Sequence, residues 1–288
     1  MSQPVREISE PAIRRLDDAL AAGPLGAAWA AEADRLGLRV DGGAAYFGHP
    51  MALPVLQLPG WAAPDAPPEA RAHAEDAALT GYLYARLRDD ALDLGHAPAP
   101  ARALACWLHA AHLRSVAAAG GPAALARAHA AWAAFDHAMA DEAARHPTLD
   151  WDAAAFDRSL DRLRPLGVPV EALTGTAPSP ARGALEPLIR AHQLHIDLTD
   201  LEDDALARRS SHVLVRAGGW SAADRARVLF LEGGLDALLD EIRAGLHAAA
   251  AWEPLRPWAE ARRARVDETG LRAWKAFFRV VAGALAPG

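Results

Sequence analysis

The chain has 288 residues, which is enough for one large domain or two small ones with a substantial core. Hydrophobic residues make up 52% of it, and a formal net charge of −7 without any basic run argues against a nucleic-acid partner held through its phosphates. Cys106 is the single cysteine, so no internal disulfide can form and a reducing compartment is expected.

The first residues, MSQPVREISEP, lack the apolar core of a secretory signal. No apolar stretch approaches the roughly 18 residues that suggest a membrane span. We therefore expect a cytoplasmic protein without stable membrane insertion.

Alanine dominates the chain, and because alanine is the strongest helix former, even weak apolar periodicity predicts helices. The expected helices cover about 10–22, 24–37, 67–94, 99–119, 122–146, 150–165, 180–208, 221–249 and 253–284. Breaker-rich stretches such as AAGGPAA (118–124) separate them, and the irregular segment 38–66 is expected to be a long loop or short helices. No strand-like alternation, fixed-period repeat or linker occurs, so the sequence predicts an all-α fold in a single domain, 1–288.

A cluster of aspartates ends one predicted helix, in LYARLRDDALDLG (83–95). Asp89 and Asp93 are four residues apart and project side by side, with Asp90 offset by about 100°. Like charges at this spacing repel, and a cation bound over them relieves the repulsion. Hard divalent ions such as Mg²⁺ prefer oxygen ligands, so Asp89 and Asp93 are candidate metal ligands.

A second cluster lies in HQLHIDLTDLEDDALARRSSH (192–212), where Asp197, Asp200 and Asp204 share one helix face at i, i+3 and i+7. A solvated acidic face is the ordinary explanation of one such cluster. Two clusters on separate long helices, each beside apolar and aromatic residues, favour two halves of one site.

At these residues the chain resembles the class I isoprenoid synthases. YLYARLRDDALD is similar to their first aspartate-rich motif, DDxxD, in the form found in squalene and phytoene synthases. QLHIDLTDLEDDALARR resembles their second motif, with Asp200 and Asp204 as its Asp-x-x-x-Asp pair. The resemblance implies an antiparallel α-helical barrel with the acidic motifs facing each other across its mouth.

The resemblance also implies a function: a Mg²⁺-dependent terpene synthase or prenyltransferase acting on an allylic prenyl diphosphate of ten to twenty carbons. Metal ions neutralise the charge on departing diphosphate, and aromatic faces in a dry pocket stabilise the carbocation. The implied metal ligands are Asp89, Asp93, Asp197, Asp200 and Asp204. The implied catalytic residues are Asp89, Asp90, Asp93, Asp200 and Asp204.

The second motif departs from the family pattern. Chain-elongating relatives begin it with paired aspartates, and Ile196 stands at the first of that pair here. Terpene cyclases use an Asn-Ser-Glu triad, and this chain contains no asparagine. The resemblance therefore implies a divergent relative in which Asp197 or Asp203 replaces the missing ligand, or in which the metal site is incomplete.

Arginines must provide the cationic contacts to a diphosphate, because Lys275 is the only lysine. The candidates flank the two motifs: Arg86, Arg88, Arg208 and Arg209, with Arg162 and Arg164 as weaker ones. The ordinary alternative is that these arginines counter nearby aspartates at the surface.

Two histidine pairs with i, i+3 spacing, His109/His112 and His192/His195, suit metal ligation. No Glu-x-x-His pair occurs on two helices, so a di-iron bundle is not assembled and structural histidines are expected. The alternative function is a non-catalytic member of the same fold that binds an isoprenoid or a protein partner. The sequence leaves open whether the protein forms a homodimer.

Overall fold

The computed structural model describes residues 3–21, 23–35, 52–93, 99–175 and 179–285. Within these ranges the side chains of 3–10, 32–35, 52–54, 93 and 282–285 are not described. Every regular element in the described residues is a helix, which confirms the predicted all-α class. None of the helices in these ranges is both long and apolar enough to cross a membrane.

The α-helices are α1 (Gln3–Ala21), α2 (Gly26–Arg35), α3 (Ala52–Ala62), α4 (Pro68–Asp93), α5 (Ala99–Arg145), α6 (Ala153–Ser159), α7 (Val168–Thr174), α8 (Pro180–Thr199), α9 (Leu201–Ala207), α10 (His212–Arg216), α11 (Ala222–Ala226), α12 (Gly234–Ala250) and α13 (Arg256–Leu285). Two 3₁₀ segments, Leu160–Gly167 and Glu253–Leu255, and one π-helical segment, Arg227–Leu231, join some of them.

Several predicted helix boundaries are confirmed and others are wrong. Helix α4 matches the expected 67–94, and α5 kinks at Gly121 (φ 70°), as the AAGGPAA break predicts. The predicted helix 180–208 is interrupted at Asp200, which has φ −95° and ψ 2°. The predicted helix 221–249 is interrupted before α12 at Gly233, whose φ of 78° is left-handed. In the segment 38–66, α3 confirms a short helix, and residues 36–51 lie outside the described residues.

The chain divides into two compact units. The first contains residues 1–136 and 162–181, and the second contains residues 137–161 and 182–288. The prediction of a single domain therefore stays a prediction. The first acidic motif belongs to the first unit and the second motif to the second.

In the first unit, α4 packs against α1, α3 and α7, and it buries Leu79 and Leu83 almost completely. A Cβ at Gly81 would lie 2.6 Å from Nδ1 of His112, so glycine allows α4 and α5 to approach closely. This packing fixes the helix that carries the first motif.

In the second unit, α12 packs most extensively against α13. Its buried residues are spaced for one helix face: Leu235, Leu238, Leu239, Ile242 and Leu246. A Cβ at Gly245 would lie 2.9 Å from Cβ of Ala191, so α12 also approaches α8, which leads into the second motif.

Candidate functional site

Arg86 connects the described carboxylates of the first motif. Its Nη1 lies 3.1 Å from Oδ2 of Asp89, and its Nη2 lies 2.8 Å from Oδ1 of Asp90. The three residues are one turn apart on α4, so helix geometry alone brings them together. Asp93 is the last residue of α4, and its side chain lies outside the described residues. Two carboxylates of the motif thus already converge on one cation.

Arg88 turns away from those carboxylates toward an aromatic cluster. It donates a 2.8 Å hydrogen bond to the hydroxyl of Tyr84 and lies 3.0 Å from Oδ1 of Asp136. Its guanidinium carbon is 5.8 Å from the Tyr84 ring centroid and 5.9 Å from that of Phe135, within cation–π range. Burial raises the pKa of Tyr84, although Arg88 opposes the shift, so the phenol stays neutral at pH 7.

The aromatic cluster consists of Tyr84, His109, His112, Trp132 and Phe135. Tyr84 stacks on His109 with ring centroids 4.7 Å apart and meets Trp132 edge-on at 4.7 Å. Trp132 in turn meets Phe135 edge-on at 5.1 Å. Arg88 therefore lies against two rings of this cluster, those of Tyr84 and Phe135.

His112 is a structural member of this cluster. It is fully buried, and its Nδ1 lies 2.8 Å from the carbonyl oxygen of Ala77, so Nδ1 carries the proton. Burial lowers the pKa of His112 to about 4, although the bond to Ala77 opposes the shift. The expectation of a structural histidine holds for His112, because one ring nitrogen is committed to the backbone of α4.

The second motif spans the junction of α8 and α9. Asp200 stands between the two helices, yet its N–H donates to Ile196 and its carbonyl accepts from Asp204, as in a continuous helix. Asp197 is buried on α8 and accepts a 2.5 Å hydrogen bond from Nε2 of Gln193, whereas Asp200 is exposed. Asp197 and Asp200 thus differ in exposure, and the backbone departs from regular helix at Asp200. The alignment of Asp197, Asp200 and Asp204 on one face stays a prediction.

The two arginines after the second motif have different partners. Nε of Arg209 lies 3.5 Å from Oδ1 of Asp204, so this arginine counters the motif directly. Arg208 ends α9 in the left-handed conformation (φ 56°), and its guanidinium lies 5.3 Å from the Trp220 ring centroid. Of these two arginines, only Arg209 has a described contact with a carboxylate of the second motif. The weaker candidates Arg162 and Arg164 lie in the 3₁₀ segment of the first unit.

An ion pair between a buried arginine and an exposed glutamate, which the sequence does not reveal, anchors α9. Arg225 is 4% exposed and binds Glu202 through two donors, Nε at 3.1 Å and Nη2 at 2.5 Å. Its Nη1 donates to the carbonyl oxygens of Gly219 and Trp220. The two charged residues are 23 positions apart and look like ordinary surface residues in the sequence. This pair holds the helix that carries Asp204.

A second buried cation lies beside the histidines that precede the second motif. Arg262 on α13 is 6% exposed, and its Nη2 lies 3.3 Å from Nδ1 of His192. Burial, with a smaller contribution from Arg265, lowers the pKa of Arg262 to about 10. Burial and three nearby arginines lower the pKa of His195 to about 4, so His195 is neutral at pH 7. Within the described ranges, no carboxylate forms a salt bridge with Arg262.

Carboxylate oxygens are the ligand type that Mg²⁺ prefers, and in the first motif Asp89 and Asp90 converge on the guanidinium of Arg86. Among the side chains that the structure describes, no three or more His, Cys, Asp or Glu residues are grouped so that they could hold a metal ion. The side chain of Asp93 lies outside the described residues, so this statement does not include it.

Comparison with known proteins found no matching family model, no similar curated protein and no similar solved structure.

Proposed function

We propose that this protein is a Mg²⁺-dependent enzyme of the class I isoprenoid synthase type. It ionises an allylic prenyl diphosphate of ten to twenty carbons and then cyclises the cation or condenses it with a second substrate. The finer fold assignment, an antiparallel α-helical barrel, belongs to the same proposal. It is supported by the motif resemblance and by the all-α content of the described residues.

One observation carries the proposal: Asp89 and Asp90 converge on a cation at the end of a helix that also carries Tyr84 of the aromatic cluster. Hard oxygen donors suit metal-assisted departure of a diphosphate, and aromatic faces suit a carbocation. The combination within one unit therefore supports the proposal better than the aspartates alone.

The reaction begins when the bond between the allylic carbon and the diphosphate oxygen breaks, and the electron pair leaves with the diphosphate. The residues that would hold Mg²⁺ are Asp89, Asp93, Asp197, Asp200 and Asp204. When bound, Mg²⁺ neutralises the charge that develops on the leaving diphosphate.

The arginines of both motifs have distinct roles in this proposal. Arg86 and Arg209, which counter motif carboxylates in the structure, would exchange those partners for diphosphate oxygens. Arg88 and Arg208, which lie over the rings of Tyr84 and Trp220, would bind the diphosphate after them. The faces of Tyr84, Trp132 and Phe135 stabilise the cation and exclude water from it.

The second candidate is a non-catalytic member of the same fold that binds an isoprenoid or a protein partner. Two observations favour it: Ile196 stands where relatives have a ligand, and Arg86 already pairs with both described carboxylates of the first motif. A binder would retain affinity for prenyl diphosphates without releasing diphosphate.

The test is incubation of the purified protein with ten-, fifteen- and twenty-carbon allylic diphosphates, with Mg²⁺ or with a chelator. Diphosphate is assayed, and organic products are identified by gas chromatography and mass spectrometry. The proposal predicts Mg²⁺-dependent release from at least one substrate. Absence of release from all three would favour the binding candidate.

A further inference from the structure

The second unit exposes apolar side chains on the last part of α13. Leu271 is 55% exposed, Phe278 60% and Val280 72%, and Leu231, at the end of the π-helical segment, is 71% exposed. Single exposed apolar residues are ordinary, but several close together mark an interaction surface. Val280 is nine residues from Leu271 and therefore lies on the opposite side of the helix. We refer to Leu231, Leu271, Phe278 and Val281 as the apolar patch.

The patch rests on packed aromatic rings. Phe230, next to Leu231, stacks on Phe277 with centroids 4.4 Å apart and meets Trp274 edge-on at 5.2 Å. Phe278 stacks on Trp274 at 5.5 Å. One aromatic cluster therefore connects Leu231 with the α13 part of the patch, and the packed rings hold the exposed side chains in place.

A cationic stripe runs beside the patch. Leu271, Trp274, Phe278 and Val281 follow the i, i+3, i+7, i+10 spacing of one helix face. Arg272, Lys275 and Arg279, at i, i+3 and i+7, form the adjacent face, and all three are exposed. Residues 270–285 contain no Asp or Glu, although the whole chain has a net charge of −7.

The cations of this stripe are not neutralised by neighbouring carboxylates. In the described residues, Arg272, Lys275 and Arg279 form no salt bridge. The carboxylates near Leu231 have other partners, because Asp224 and Glu232 both pair with Arg227. Asp236 accepts the indole N–H of Trp274 at 3.4 Å. The surface thus presents apolar groups and unneutralised positive charge together.

A symmetric contact between the patches of two copies of this chain would bring two such cationic stripes together, and their repulsion opposes that contact. An anionic phospholipid surface satisfies both features, because it takes apolar and aromatic side chains between its headgroups and attracts the flanking cations. We propose that α13 from Leu271 to Val281, with Leu231, binds the surface of membranes that contain anionic phospholipid. The helix lies at the interface and does not cross the bilayer. The proposal does not rest on the proposed function.

The test is flotation of the whole protein with vesicles of phosphatidylcholine alone or of phosphatidylcholine with phosphatidylserine. We expect binding to the anionic vesicles, weakened by added salt. Each basic residue near such a surface contributes about a fivefold gain in binding. Replacing Arg272, Lys275 and Arg279 with Gln should therefore weaken binding about a hundredfold.

The matched control replaces three exposed arginines elsewhere, Arg114, Arg158 and Arg263, with Gln and removes the same total charge. It should retain most of the binding. A Leu271→Ser/Phe278→Ser variant should lose binding at unchanged charge. Circular dichroism and melting temperatures check that each variant is folded.

Three outcomes would overturn the proposal. The first is the absence of binding to anionic vesicles by the wild type. The second is an equal loss of binding in the stripe variant and the matched control. The third is self-association of the wild type without lipid that the Leu271→Ser/Phe278→Ser variant abolishes, which would make the patch a contact between copies.

Discussion

Replacing Arg225 with Met should destabilise the part of the chain that carries the second motif. The side chain is almost fully buried, and the substitution removes its two bonds to Glu202 and its bonds to the carbonyl oxygens of Gly219 and Trp220. Glu202 is 67% exposed, so its carboxylate returns to water at little cost. The penalty therefore comes mainly from the two carbonyls, at about 1–2 kcal/mol each.

We expect Arg225→Met to lower the free energy of unfolding by about 2–3 kcal/mol, because removing a buried cation recovers some desolvation free energy. Glu202→Gln should cost about 1–2 kcal/mol, since it leaves the guanidinium without its counter-ion. The double variant should be no worse than Arg225→Met, because both substitutions break the same contact. Asp203→Asn, on the exposed side of the same helix, should change stability by less than about 0.5 kcal/mol.

Urea unfolding followed by tryptophan fluorescence measures these changes. A loss below about 0.5 kcal/mol for Arg225→Met would refute the reasoning, because buried carbonyls without donors cannot be that cheap. Additive losses in the double variant would also contradict it, since they would mean that the two side chains act separately.

Three further predictions concern pH and metal. The pKa of His112 is lowered to about 4 in the folded protein, so the unfolded chain binds a proton more readily between pH 6.5 and about 4, and wild-type stability should fall as pH falls through that range, by up to about 3 kcal/mol. The free energy of unfolding of His112→Leu should lack this pH-dependent loss, and an unchanged pH slope in the variant would contradict the reasoning. Mg²⁺ with diphosphate should raise the melting temperature more than Mg²⁺ alone, because the ion is usually bound by carboxylates and phosphate oxygens together. An equal rise in the melting temperature of Asp89→Ala/Asp93→Ala would exclude these residues from the site. Ile196→Asp should lower the Mg²⁺ concentration for half-maximal activity if a ligand is missing there, whereas an unchanged requirement would show that position 196 does not face the metal.

The fold class follows from the sequence because alanine content and breakers determine helices locally. Gly121 and Pro122 predict the kink of α5, and the apolar spacing of 67–94 predicts both ends of α4 within a residue or two. No glycine or proline lies next to the break at Asp200, so no local sequence signal predicts this break. Helix α10 is too short for periodicity, although Ser211 caps its start by accepting from the N–H of Leu214.

The site was predictable where partners are close in the chain. The contacts of Arg86 with Asp89 and Asp90 follow from i, i+3 and i, i+4 spacing. The contact of Arg88 with Asp136 depends on packing between helices, which the sequence does not specify locally. Arg262 illustrates the same limit, because buried arginines without a carboxylate partner are rare and a sequence pattern rich in arginine predicts surface.

The central claim is that the aspartates at the end of α4 act in the departure of a diphosphate. The most direct measurement compares diphosphate release by the wild type, Asp89→Asn and Asp240→Asn, with melting temperatures as the folding control. Asp240 pairs with Arg243 at i, i+3 as Asp89 pairs with Arg86, so it controls for the loss of such an ion pair. We predict that Asp89→Asn releases diphosphate about a hundredfold more slowly or worse, while Asp240→Asn matches the wild type. Equal release by all three folded proteins would contradict the account and leave the aspartates of α4 as a solvated helix end.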